Sequence, residues 1–252
     1  MSQSRSRNTE RRTAVVTGAG SGIGKAIAEA LSVDGWRVAA VGRRADRLAE
    51  VARLSSSIEP IPGDLSSVDD VERVAARVTD LFGTLNLLVC NAGATHHGPQ
   101  TTVADVAEHW SRTMASNVLS AVLLEHALRP CLVRPGGRVV VTSSFAAQAL
   151  AGNAAYGASK AALERWVLAL GDEIGAIGGT ANAVAPGFVP ETELIGTALA
   201  PERLERIEAG IAVRRAGATA EIASVVRWLA SPESSFVNGA VIPVDGGARR
   251  RD

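Results

Sequence analysis

A short apolar run that turns through glycines into a helix is the feature that most restricts what this chain can fold into. Ala14-Val15-Val16-Thr17 reads as a buried strand. Gly18-Ala19-Gly20-Ser21-Gly22-Ile23-Gly24 follows directly, ahead of a helical pattern through Ile23, Ala26, Ile27, Ala30 and Leu31. Glycine at 18, 22 and 24 permits a tight turn and lets backbone approach a ligand, while the first helical turn offers free amide donors to an anion. A dinucleotide diphosphate is the natural occupant, with Gly18, Ser21, Gly22, Ile23 and Gly24 as candidate contacts. The Gly-x-x-x-Gly-x-Gly spacing departs from the common Gly-x-Gly-x-x-Gly form. A phosphate loop of the nucleotide-hydrolase kind is excluded, because Lys25 is followed by Ala26 where Ser or Thr is required.

The same alternation continues along the chain. Strands are expected at 36–41, 57–62, 85–90, 138–142, 180–184 and 241–244. Helical patterns lie between them, including a helix-rich segment at 103–132 and helices at 156–174 and 218–230. Apolar strands alternating with helices call for a parallel sheet covered on both faces. One three-layer α/β/α domain with seven parallel strands is therefore expected over 13–248, between loose tails at 1–12 and 249–252. The interval 188–215 interrupts the alternation and is the expected lid.

Charge and cysteine usage narrow the function classes. The 26 basic and 26 acidic residues cancel, which gives no support for nucleic-acid or membrane partners. Cys90 and Cys131 sit in apolar segments without disulfide or zinc spacing, as buried thiols in a reducing compartment would. The basic start lacks the apolar segment of a signal peptide, and no run approaches the roughly 20 residues of a membrane span. A cytoplasmic location is expected. His96 and His97 form a pair without a metal-ligand motif, so no metal is expected.

The end of the second expected strand reads Val41-Gly42-Arg43-Arg44. A carboxylate there would hold the ribose hydroxyls of NAD, whereas a 2′-phosphate needs positive charge. NADP(H) is therefore expected, with NAD(H) as the weaker alternative. Arg43 is the leading phosphate contact and Arg44 the second. In Gly63-Asp64-Leu65, Asp64 and its neighbour Leu65 are placed to meet the adenine.

Tyr156, the only tyrosine, stands four residues before Lys160, one of only two lysines. On a helix both project from one face. A free phenol has a pKa of about 10, and an adjacent ammonium favours the phenolate. Lowering it by about three units requires about 4 kcal/mol, which a desolvated site holding a lysine and a cationic cofactor could supply.

With Asn91-Ala92-Gly93, Asn117, Ser143-Ser144, Pro186-Gly187 and Val244-Asp245-Gly246-Gly247 in the same order, the chain resembles the short-chain dehydrogenase/reductase family over nearly all of 12–248. Members that reduce 3-oxoacyl thioesters are among those it is similar to. The resemblance implies a Rossmann-like fold in which Tyr156 is general acid in reduction and base in oxidation, and Ser144 hydrogen-bonds the substrate oxygen. It implies that Lys160 binds nicotinamide-ribose hydroxyls and lowers the tyrosine pKa, and that Asn117 supports a water leading from Lys160 to solvent. Asn91, Ala92, Gly93, Pro186, Gly187, the backbone of Val189, and Thr192 would complete the cofactor site. Ser144 lies twelve residues before Tyr156 where many members have thirteen, and Thr192 one residue farther from Pro-Gly than is common. Ser143 meets the longer count but should face the other way on its strand.

The expected substrate wall comprises His96, Phe145, Gln148, Asn153, Phe188 and Leu194, suited to an apolar or moderately polar small carbonyl or alcohol compound. A homotetramer, or a dimer, is implied, for which Leu163, Trp166, Val167 and Leu170 are candidate surface. The leading expectation is NADP(H)-dependent reduction of a ketone to a secondary alcohol. The alternatives are NAD(P)+-dependent oxidation of a secondary alcohol and, in another class, a catalytically lapsed nucleotide-binding regulator or scaffold.

Overall fold

In the computed structural model, which describes residues 11–96, 98, 100–149, 153–192 and 199–248, the alternation resolves into seven parallel strands. They are β1 (Thr13–Thr17), β2 (Arg37–Gly42), β3 (Ile58–Pro62), β4 (Leu87–Cys90), β5 (Arg138–Thr142), β6 (Thr180–Pro186) and β7 (Val241–Val244). The order across the sheet is β3-β2-β1-β4-β5-β6-β7. From β1 the chain winds outward to β3, then returns to add β4 on the other side. That reversal leaves a crevice at the carboxyl ends of β1 and β4, where ligands bind in open α/β sheets.

Strand alternation builds two cores, one on each face. Val15, Ala39, Val41, Leu88, Val139 and Val141 pack with α3 (Val68–Phe82), α5 (Ser120–Leu128) and α6 (Ala154–Gly175). Ala14, Val16, Val38, Ala40, Leu87, Val89 and Val140 pack with α1 (Gly22–Val33), α2 (Ala45–Ala52) and α8 (Thr219–Leu229). Leu163, Val167 and Leu170 of α6 belong to the first core, with Trp166 packed against it. Leu163, Val167 and Leu170 are thus taken up by the covered sheet, the other use such a stripe could have, while Trp166 stays partly exposed.

Several boundaries differ from the sequence reading for local reasons. Trp36 closes α1 by donating its backbone N–H to Leu31 O, so β2 starts one residue later. Leu85 leaves β4 to bridge Leu132, and β6 runs on to Pro186 because Val244 pairs with it. Arg12, expected in the tail, accepts a hydrogen bond from Arg37 N at 2.8 Å and lays its guanidinium 4.3 Å from the Trp36 ring centre. The helix-rich segment is α4 (Val103–Met114), a π-helical turn (Ala115–Leu119) and then α5. The interval expected as a lid contains α7 (Pro201–Ala209), opened by proline at its first position. Leu194, residues 1–10 of the tail expected at 1–12, and the expected tail at 249–252 lie outside the described residues. Among the described residues, no helix is long and apolar enough to cross a membrane.

Candidate active site

The crevice is a continuous cleft of about 1230 Å³. The glycine turn forms one wall. Gly18 and Gly22 have φ of 66° and 52°, in the left-handed region that favours glycine. Gly24 has no room for a side chain, because a Cβ would strike Gly18 O and lie 2.6 Å from Asn91 Nδ2. Asn91 holds that approach by donating Nδ2 to Thr17 O at 3.0 Å. Thr17 Oγ1 accepts from Asn91 N and Ala92 N, both at 2.9 Å, stitching the end of β1 to the end of β4. The sequence reading missed this role of Thr17, because the partners are more than 70 residues apart. Gly24→Ala is expected to cost about 1–3 kcal/mol by overpacking and to weaken dinucleotide binding. Thermal unfolding with and without NADPH measures both.

Other cofactor candidates converge on the same wall. Arg43, Arg44, Gly63, Asp64 and Leu65 line the cleft, and Arg44 Nη2 donates to Ser21 Oγ at 3.1 Å. Asp64 Oδ1 accepts from Ser66 N and Oγ at 3.0 and 2.7 Å, fixing the turn after β3. On the opposite side, Thr192 Oγ1 donates to Val189 O at 2.9 Å, and Thr192 Cγ2 comes to 3.4 Å from a Cβ position on Gly22. Thr192 therefore closes over the glycine turn despite its extra residue from Pro186-Gly187. Backbone amides, two guanidiniums and the absence of a carboxylate at the end of β2 fit an anionic dinucleotide.

At the other end, α6 begins with Asn153, whose Oδ1 accepts from Tyr156 N at 2.7 Å. Tyr156 and Lys160 are both buried on one helix face. Lys160 Nζ donates to Thr142 O at 2.8 Å and lies 5.7 Å from the Tyr156 ring centre. Burial pushes the Tyr156 phenol above its ordinary pKa, opposed by hydrogen bonding to the Ser144 side chain. In the protein alone desolvation outweighs the Ser144 hydrogen bond; the expected lowering also calls on the charge of a bound cofactor. The same burial pushes Lys160 down to about 8.

This lysine has a testable pH signature. Its folded pKa lies below the unfolded value of 10.5, so its stabilising contribution is present above that value and lost as pH falls through about 8. The stability difference between wild type and Lys160→Met is therefore expected to move toward wild type as pH rises across this window, by up to about 3 kcal/mol. Denaturant unfolding of both proteins at several pH values checks it.

Asn117 occupies the π-helical turn, fully buried. Its Oδ1 accepts from Ala94 N at 2.7 Å and its Nδ2 donates to Ser159 Oγ at 2.9 Å. Ser159 Oγ in turn donates to Tyr156 O at 2.7 Å. Ser159 was absent from the candidate set, although its place three residues after Tyr156 put it on a neighbouring helical position. A Cβ on Gly93 would lie 3.2 Å from Asn117 Oδ1 and 3.3 Å from Lys160 Nζ, so both groups crowd one point above this glycine. Ser143 and Ser144 both line the cleft but their hydroxyls have different partners: Ser144 hydrogen-bonds the Tyr156 phenol, while Ser143 Oγ donates to Glu164 Oε1 at 2.9 Å.

The substrate wall is partly corrected. His96, Phe145 and Phe188 line the cleft. Gln148 does not, because its Nε2 donates to Glu164 Oε2 at 2.9 Å, and Asn153 is committed to capping α6. Arg112, Leu199, Arg203 and Ile207 line it instead, so the wall is more basic than the sequence suggested. His96 Nε2 lies 3.1 Å from Ser116 Oγ, and burial, then the charges of Arg112 and Arg43, push its pKa down.

A family model described as Enoyl-(Acyl carrier protein) reductase matches residues 18–249. The 3-oxoacyl-(acyl-carrier-protein) reductase of Vibrio cholerae is 34% identical over 243 residues, covering 95% of this chain and 98% of that protein. The chain belongs to the short-chain dehydrogenase/reductase family. A second member, the short-chain dehydrogenase/reductase eriH of Hericium erinaceus, is 35% identical over 247 residues, covering 93% of this chain and 96% of that protein. Among solved structures, the Pseudomonas aeruginosa RhlG/NADP active-site complex superposes with a TM-score of 0.85 at 34% identity, covering 94% of this chain and 95% of that one. This short-chain dehydrogenase/reductase is accordingly an NAD(P)(H)-dependent oxidoreductase, close to the members that reduce ketones and 3-oxoacyl groups.

Proposed function

We propose that this enzyme reduces a ketone, such as a 3-oxoacyl thioester, to a secondary alcohol with NADPH, and that Tyr156 Oη gives the proton to the carbonyl oxygen. The observation that carries the reading is that Tyr156, Ser144 and Lys160 line the same cleft as Arg43 and Arg44. NADPH, when bound, supplies the hydride. The turn from Gly18 to Gly24 holds the diphosphate, with Thr192 and the Val189 backbone opposite. Arg43, assisted by Arg44 on Ser21, takes the 2′-phosphate. Asp64 and Leu65 meet the adenine, and Asn91, Ala92 and Gly93 form the floor.

In this reading Ser144 Oγ donates a hydrogen bond to the carbonyl oxygen, polarising it for attack. Lys160, with its pKa near 8, can hold or release a proton beside Tyr156 close to neutral pH. Asn117 fixes the Ala94 loop to α6 through Ser159, so the floor and the tyrosine helix keep one spacing. His96, Phe145 and Phe188 face the substrate. A cytoplasmic homotetramer accompanies this reading, and light scattering on the purified protein tests the assembly.

Loss of nicotinamide absorbance against a ketone panel, run with NADPH and with NADH, tests the function. NADPH-dependent turnover is expected. Preference for NADH would overturn the role given to Arg43. Turnover only from secondary alcohols would support the dehydrogenase alternative, and cofactor binding without any turnover the regulatory one.

A further inference from the structure

Glu164 lies four residues beyond Lys160 and eight beyond Tyr156, on the same face of α6. It does not line the cleft. Its two carboxylate oxygens instead grasp both ends of one short segment. Oε1 accepts from Ser143 Oγ at 2.9 Å, and Oε2 accepts from Gln148 Nε2, also at 2.9 Å. Between those anchors run Ser144 and the single 3-10 turn Phe145–Ala147, which present the serine beside Tyr156 and the phenylalanine to the cleft.

The segment is pressed onto the start of α6 at a third point. A Cβ on Gly157 would lie 2.9 Å from Ala146 O, so only glycine lets the turn sit this close to the residue after Tyr156. Ser143 is buried, and its hydroxyl has one further acceptor, Lys160 O at 3.3 Å. The shorter bond runs to a carboxylate, the stronger kind of acceptor. Ser143 is joined directly to Ser144 just beyond the end of β5, so fixing Ser143 also restricts where Ser144 can point.

We propose that Glu164 is a positioning residue: by clamping Ser143 and Gln148 it sets the distance between Ser144 and Tyr156. The inference rests on the reading of Ser144 and Tyr156 as the pair that meets the carbonyl oxygen. Glu164→Ala should release both ends of the segment. Glu164→Gln keeps a carbonyl for Ser143 and an N–H that Gln148 can accept by turning its own amide, replacing two bonds to a carboxylate with two weaker neutral ones.

Because Tyr156 is the only tyrosine, isotope-labelled tyrosine gives one NMR resonance that reports its phenol without any substrate. In Glu164→Ala this resonance should shift, its titration should move to higher pH, and Ser144→Ala should cause the same change. The double variant should add nothing to either single one. Glu164→Gln should fall between wild type and Glu164→Ala, as should the milder Gln148→Ala, which serves if Glu164→Ala does not fold. With an active ketone, kcat of Glu164→Ala should drop about 10- to 100-fold with NADPH affinity unchanged. An unshifted tyrosine resonance in the Glu164 and Gln148 variants, or effects of Glu164→Ala and Ser144→Ala that simply add, would overturn the proposal. If wild type reduces no ketone, the functional reading fails while the resonance still decides the role of Glu164.

Discussion

Tyr156→Phe is expected to lower kcat for ketone reduction by about 10²- to 10⁴-fold, the usual worth of a positioned general acid, while NADPH binds as before. The substitution removes one oxygen and little else. The ring sits buried at the start of a helix capped by Asn153 through backbone, and that cap does not depend on the hydroxyl. Because burial raises the phenol's pKa, the hydroxyl is protonated at neutral pH and ready to donate. Its replacement requires a nearby source, and Lys160 at about 8 is the adjacent group able to supply one. Steady-state kinetics beside a fluorescence titration of NADPH separates lost chemistry from lost binding. A kcat within threefold of wild type would remove Tyr156 from the proton path.

Arg43→Ala should weaken NADPH binding about 10-fold and leave NADH binding unchanged, and Arg43→Ala with Arg44→Ala should approach about 100-fold. A hydrogen bond to a charged group contributes about 1.5–3 kcal/mol, and these side chains are solvated, so the single variant belongs at the low end. The effect should shrink as salt is raised, since the attraction is partly screened. Arg44 has a second duty, because its guanidinium donates to Ser21 in the glycine turn. Its removal is therefore expected to loosen the diphosphate wall slightly for both cofactors. Paired titrations with NADPH and NADH at two salt concentrations measure all of this.

Much of the fold was legible because its signals are local. The runs at 138–142 and 241–244 have the observed strand limits, and the alternation alone implied the covered parallel sheet. The glycine turn and the Tyr156-Lys160 spacing were likewise readable, since each depends on neighbours within one turn. What stayed hidden depends on distant partners. Thr17 reads as the last residue of a strand until Asn91 and Ala92 are brought to it by the pairing of β1 with β4. Gln148 and Asn153 have the chemistry of substrate contacts, yet Glu164 and the first turn of α6 claim them. Leu163, Val167 and Leu170 form an apolar stripe whose partner, sheet or second subunit, no periodicity reveals. Spacing showed a cation beside a phenol but not how far both are removed from water, which raises the phenol and lowers the ammonium in the protein alone.

The most direct test of the account follows the hydrogen itself. NADPH deuterated at its reactive nicotinamide carbon is incubated with the enzyme and a turned-over ketone, and the alcohol is analysed by mass spectrometry and NMR. Deuterium on the carbinol carbon, with the hydroxyl hydrogen drawn from solvent and the yield collapsing in Tyr156→Phe, is the predicted result. Alcohol without deuterium, or equal yield from Tyr156→Phe, would contradict it.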